Sequence, residues 1–463
     1  MGVIPVVGGT TASWAKKFTN ERTVNWVPVV DEAGEYITAL RGTAGLQEFV
    51  DLGTSAPVLG VTSAKGEIYT VSGGKLFKVT SGGTATEIGD LDIDGDQVSM
   101  KSNGIELFIA CGGKGYTYTF ATETLAQITD ADFPGARLVD FMDGYFVFPE
   151  PSTGRFMVTA LYDGDNVDAL DFATAESSPD DVVSLIARKS DVILFGAETT
   201  EFHFNQGGTG FPFARNSGAT LDIGCGAQYS PAKADNMTFW LGGGKDGAGG
   251  VFMIAGGYGE SRISTEGLEE EFRSYDTVND AIGYAYQENK HVFYVLTFPT
   301  ERKTWVYDVS TDLWHERESY KQGRHKSNCY TFFKRQHIVG DYANGKLYYM
   351  DLDVYTDDGD PIISSRICKN ISNQENFFTL PKFELIFQSG YGLTTGQGSD
   401  PQAMLSYSND SGHTWSDERW RSFGKIGEYG HRAIWRKLGV SRNRMFKIEV
   451  SDPVKRNIIG AVS

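Results

Sequence analysis

No stretch of this 463-residue sequence approaches eighteen consecutive apolar residues, so no helical membrane span is expected. The first 17 residues lack a basic start, and Pro5 and Gly8 interrupt their apolar part, which argues against a signal peptide. Val6 stands where a myristoylation motif needs Ser or Thr. Together these absences predict a soluble chain made in the cytoplasm. Cysteine is scarce: Cys111, Cys225, Cys329 and Cys368 form no C-x-x-C pair and are expected to be reduced, mostly buried thiols. Among the seven histidines, His315, His325 and His337 are neighbours in sequence, but no pair has the i, i+4 spacing of a helical metal site. Basic charge is also short. The net charge of −18 argues against a general nucleic-acid binder, because phosphates are repelled and counterion release is not available. Long helix-forming runs of Ala, Leu, Glu and Lys are missing, which excludes a helical bundle.

What the chain has instead is glycine, 55 residues, and aromatics, 13% of the total, a pairing that suits short strands joined by tight turns. A hairpin pattern, aromatic-rich strand, turn, second strand, starts near residues 67, 105, 145, 192, 237, 291 and 336. Intervals of 38 to 54 residues, each able to hold about four strands, read as propeller blades. The predicted fold is all-β: a β-propeller of six or seven blades over residues 56–356, then a smaller β-sandwich-like domain over 361–463. Residues 1–55 are assigned to an N-terminal arm and a strand, 36–40 or 46–50, that closes the ring and removes its exposed edges. A sequential pair of sandwiches is the alternative. One helix is predicted at 265–275, capped by Thr265. Charge supports the division. Residues 361–463 carry 14 Lys and Arg against 9 Asp and Glu, a net of +5, whereas the first 360 carry 28 against 51, a net of −23.

Candidate chemistry is thin. Asp90, Asp92, Asp94 and Gly95 match the first half of a calcium loop, but Lys101 occupies the place of its bidentate Glu, so an acidic turn is expected and no metal. The glycine clusters at 112–115 and 242–246 lack the P-loop pattern and read as hairpin turns. Ser408, Asp410, Gly412 and Trp415 make a full Asp-box, S-x-D-x-G-x-x-W, in which the Ser and Asp side chains tie down a turn and the Trp plugs the hairpin. Such boxes recur in sialidase propellers, so a glycan-binding or glycan-cleaving protein is the alternative function. That enzyme would need repeated boxes, and this chain has one, outside the propeller. No catalytic residue and no cofactor are predicted. From Arg419 to Arg444 basic and aromatic residues alternate, a pattern that can stack on nucleic acid, dock on an acidic partner or lie in solvent. The overall acidity favours the last two, and Arg432, Arg436 and Arg444 are the interface candidates.

Three places point to one family. Asn20-Glu-Arg-Thr-Val-Asn-Trp26-Val-Pro28 followed by Leu40-Arg-Gly-Thr-Ala-Gly-Leu46 resembles the opening of the packaged-DNA stabilisation proteins of short-tailed phages, with Ala44 in place of a proline. The Asp-box hairpin and the closing stretch from Trp435 to Val454 and Ala461 are similar to theirs. The resemblance implies a virion protein, a tail hub or nozzle: a ring, six subunits in the family, below the portal and its adaptor. It would continue the DNA channel without specific DNA binding, retain packaged DNA, and anchor the tail needle and tailspikes. It implies no enzyme activity and no membrane insertion.

Overall fold

The computed structural model describes residues 3–11, 20–30, 37–175, 178–207, 210–247, 249–374 and 376–462. The seven hairpins found in the sequence are the second and third strands of seven antiparallel sheets. Blade 1 runs from Val58–Ala64 to Ala85–Asp90, blade 2 from Ser99–Ser102 to Thr124–Gln127, and blade 3 from Asp140–Met142 to Asp163–Thr174. Blade 4 runs from Val182–Ala187 to Phe213–Leu221, blade 5 from Gly224–Cys225 to Glu260–Arg262, and blade 6 from Ile282–Glu288 to Leu313–Glu316. Blade 7 has three strands of its own, from Ser327–Phe333 to Lys346–Asp351, and takes its fourth, Gly45–Asp51, from the N-terminal region. A separate apolar cluster fills each gap between neighbours; Val50, Phe333 and Leu347 of blade 7, for example, pack on Val58, Ile68 and Phe77 of blade 1. There the ring is also tied by Asn328 Nδ2, which donates to the Val58 carbonyl at 2.9 Å. The fold is therefore a seven-bladed propeller.

The predicted helix is Glu266–Arg273, with the Thr265 hydroxyl accepting from Leu268 N and with Leu268 and Phe272 buried against blades 5 and 6. The hairpin turn expected at 242–246 begins later than its glycines suggest. Its preceding strand, Met237–Gly243, continues through the glycines because Gly243 is pressed against the Cys225 backbone, where a Cβ would lie 2.6 Å away.

The second domain is a sandwich, and here the expected domain limits need correction. One sheet runs in the order Trp26–Val30, Ile37–Gly42, Ile458–Val462, Lys382–Phe387, Ala433–Arg436, with Val3–Ile4 added on Ile458–Val462. The other contains Ser364–Ile367, Asn443–Val450, Gln402–Ser408 and Arg419–Ser422. The arm thus supplies sandwich strands, and Ile4, Val6, Trp26 and Leu40 are part of the same buried cluster as Phe383, Trp435 and Phe446. Of the two proposed closing strands, 46–50 pairs with the last blade. Described residues of 36–40 pair within the sandwich, and Tyr36 lies outside the described residues. Pro28 is tolerated because its strand is the outermost of its sheet.

Candidate functional site: an interdomain joint

The first motif of the sequence, Arg22 to Pro28, folds as the joint between the domains. Arg22–Val24 bridges in parallel to Glu316, in the outer strand of blade 6, and pairs antiparallel with Ser364–Ile367. Blade 6 and one sandwich sheet thereby become a single ten-stranded sheet. Arg22 grips Glu316 through two 2.6 Å hydrogen bonds, which raise its pKa above the ordinary value. Asn25 is buried with φ at 55°, a left-handed conformation that Asn tolerates better than most residues. Its amide donates at 2.8 Å to the carbonyls of Glu318 and Ile363 and accepts from Glu318 N at 3.1 Å, so one side chain spans blade 6 and the sandwich. Trp26 is fully buried in the sandwich, and its indole N–H donates to the Arg456 carbonyl at 2.9 Å.

The second motif, Gly42 to Leu46, carries the chain from sandwich to propeller. Thr43 N donates to the Asn25 carbonyl at 3.3 Å. At Gly45 a Cβ would sit 2.5 Å from the carbonyl oxygens of Val354 and Thr356, so only glycine lets the closing strand start beside that returning segment. Arg366, fully buried, holds the far side: it donates at 2.7 Å to the Val6 and Gly9 carbonyls and also pairs with Glu21.

The boundary expected between 356 and 361 falls in a stretch that is tied into this joint through Asp357. Asp357 bridges in parallel to Leu46 and is buried, accepting from the Ser319 hydroxyl at 2.8 Å. Burial pushes its carboxyl up to about 6, against the pull of the Ser319 hydrogen bond and of Lys326, Arg317 and Arg456. A folded pKa above the unfolded 3.8 means the native state binds the extra proton. Stability from this group is thus full below about pH 4 and lost as pH rises through about 6, by roughly 3 kcal/mol for a two-unit shift. Asp357→Asn should remove that dependence. Its melting temperature is expected to gain on the wild type between pH 4.5 and pH 7; a constant gap would contradict the assignment.

Elsewhere the predicted residues serve structure. In the Asp-box, the Ser408 hydroxyl accepts from Gly412 N at 2.8 Å and donates to Asp410, which accepts in turn from Thr414 N at 2.9 Å. These bonds hold the Asp410 carboxyl far below its ordinary range. Gly412 has φ at +90°, and Trp415 is half-buried with the Lys447 ammonium 5.9 Å from its ring. Arg444 corrects the interface expectation. It is buried, donates to Asn409 Oδ1 and the Leu438 carbonyl, and lies over the Tyr407 ring at 4.4 Å, so it is not available to a partner. Arg432 and Arg436 are exposed, the former paired with Glu384 at 2.7 Å.

In the acidic turn, Asp94 and Asp96 share Arg137, Asp92 pairs with Lys114, and Lys101 reaches Asp140. Among the described residues no three His, Cys, Asp or Glu side chains converge on a metal position. Burial drives the pKa values of His315 and His325 well below ordinary and pushes the thiols up, Cys225 to about 11 and the other three to about 12.

The innermost strands of all seven blades line an axial cavity of about 420 Å³. Asp140 stands in it between Lys101 and Lys233; burial would raise its carboxyl, but the two ammonium groups hold it at about 2. That volume suits a small molecule and not a DNA duplex.

Comparison with known proteins matches this architecture part by part. Residues 3–355 match the family described as bacteriophage P22 Gp10, beta-propeller, and 365–462 match bacteriophage P22 Gp10, beta-sandwich. The chain is 24% identical over 322 residues to tail hub protein gp10 of Salmonella phage P22, covering 64% of this chain and 65% of that protein. Solved structures similar in fold include the extracellular domain of the one-component system BT4673 from B. thetaiotaomicron (9% identity, TM-score 0.45, 81% of this chain and 47% of that one). The Pan2 WD40 domain of Neurospora crassa is another (8% identity, TM-score 0.43, 66% and 96%). The match over both domains in order carries the assignment: this chain belongs to the bacteriophage P22 Gp10 family, a β-propeller followed by a β-sandwich.

Proposed function

We propose that the chain is a structural subunit of a phage tail hub. Copies form a ring, six on the family pattern, beneath the portal-adaptor. The ring continues the DNA channel, retains packaged DNA and anchors the tail needle and tailspikes. The observation that carries this reading is the ordered match of both domains to one phage protein family whose curated relative is named a tail hub. Physical features support it. The domains are joined by a continuous sheet and buried arginines, a construction suited to transmitting load. The propeller's own axis is too small for duplex DNA, so a DNA path needs an assembly around it. The propeller's surplus of acid would repel phosphate from such a path, letting DNA slide through. The sialidase-like alternative rests on the Asp-box, which sits in the sandwich and spends its carboxylate on its own turn.

The test is made on phage particles that package DNA without this protein. They are expected to leak their DNA and to stop leaking when purified chain is added. Particles that keep their DNA without the chain would overturn the reading, and release of sugars from a host polysaccharide by the purified chain would favour the enzyme.

A further inference from the structure

Two sheet edges, at opposite ends of the molecule, carry opposite charge around an exposed apolar residue. The first is the outer strand of blade 3, Asp163–Thr174. Its register jumps between the pairs Thr159–Val167 and Met157–Phe172, so residues 168–171 bulge away from the blade. Residues 161–172 contain four Asp and no basic residue, and none of the four has a basic partner among the described residues. Leu170, at the crest, is 79% exposed. The second is the sandwich edge where Arg419–Ser422 and Ala433–Arg436, the last strands of the two sheets, meet; the Arg421 guanidinium donates to the Ile434 carbonyl. Residues 419–437 contain six Lys or Arg and one Glu, and Arg421, Arg436 and Lys437 have no acidic partner among the described residues. Trp420 is 51% exposed in its midst.

Charge on an edge strand alone keeps it from aggregating. Leu161, Tyr162 and Leu170 are all exposed on the acidic stretch, and Trp420, Ile426 and Tyr429 on the basic one; such groupings of apolar surface work against that protection and mark docking faces. The basic edge terminates the ten-stranded sheet that starts in blade 6, whereas the acidic edge belongs to blade 3, as far round a seven-membered ring as a blade can be. One chain cannot bring its own two edges together. We propose that the basic sandwich edge of one copy docks on the acidic blade 3 edge of the next. Two different, complementary patches at opposite ends make a heterologous contact, which propagates into a ring when the rotation closes. This names the contact within the ring of the hub reading and rests on it.

The experiment measures the mass distribution of the purified full-length chain against concentration and salt. Arg421→Glu with Arg436→Glu, and separately Asp168→Lys with Asp171→Lys, are each expected to weaken association at least tenfold. An equimolar mixture of the two variants, or all four changes in one chain, restores charge complementarity at every contact and should restore assembly. That recovery also shows that the variants fold. Wild-type assembly should weaken as salt rises. Either double variant assembling like the wild type, the fourfold variant remaining dissociated, or a wild type that stays monomeric at every concentration overturns the proposed contact. Failure of the hub reading is read separately, from DNA retention in particles.

Discussion

A chain lacking residues 1–43 should keep its propeller and lose its sandwich. The closing strand Gly45–Asp51 remains, so all seven blades retain four strands. The sandwich loses Trp26–Val30, Ile37–Gly42 and Val3–Ile4 from one sheet and Arg22–Val24 from the other. With them go Ile4, Val6, Trp26 and Leu40 from its core, and the backbone carbonyls and Glu21 carboxylate that satisfy buried Arg366. An uncompensated buried guanidinium alone costs several kcal/mol, more than a small sandwich that has also lost four strands and a tryptophan of its core can withstand. Hydrogen exchange is the measurement. Protection should disappear throughout residues 364–462 and persist in the inner strands of blades 1 to 5. Retained protection at 443–450 would mean that the arm only decorates a self-sufficient sandwich.

Which parts of this architecture were legible in the sequence follows from the range of the interactions. Every blade's central hairpin is local, its strands joined by a turn a few residues long, and alternation exposed all seven. The Asp-box was legible for the same reason, since Ser408, Asp410, Gly412 and Thr414 satisfy one another within seven residues. The arm was not. Leu40 meets its partner Ile458 across the whole chain, and nothing local marks Ile37–Gly42 as a sandwich strand when Gly45–Asp51 reads just as well as a neighbour. The acidic stretch 351–361 reads as the boundary between domains; the bridge from Asp357 to Leu46 that ties it to the closing strand spans about three hundred residues of sequence. Arg444 failed differently. Charge suggests surface, yet Asn409, the Leu438 carbonyl and the Tyr407 ring provide a buried guanidinium with what it needs. The family motif reads as a signature in the sequence, and the structure shows its work: Arg22, Asn25 and Gly45 bind the two domains, while Trp26 fills the sandwich core beside them.

Trp26→Ala should be the most damaging single change at the joint. The indole is fully buried, and truncating such a side chain costs about 3–5 kcal/mol in cavity and transfer terms. A further roughly 1–3 kcal/mol follows because the Arg456 carbonyl loses its donor in a buried site. The sandwich transition is expected to fall by on the order of 20 °C, and Trp26→Phe, which refills most of the cavity without the N–H, by well under half as much. A second readout tests whether the loss reaches the joint. Arg456 also donates through Nε to Ser364 Oγ at 2.6 Å, and its guanidinium is among the charges that bear on Asp357. If a cavity beside Arg456 admits water, the desolvation that raises the Asp357 pKa is relieved. Trp26→Ala should then melt with less dependence on pH between 4 and 6 than the wild type does, whereas Trp26→Phe, which keeps the site dry, should retain the wild-type slope. An unchanged slope in Trp26→Ala would confine the damage to the sandwich core and separate the two halves of the motif.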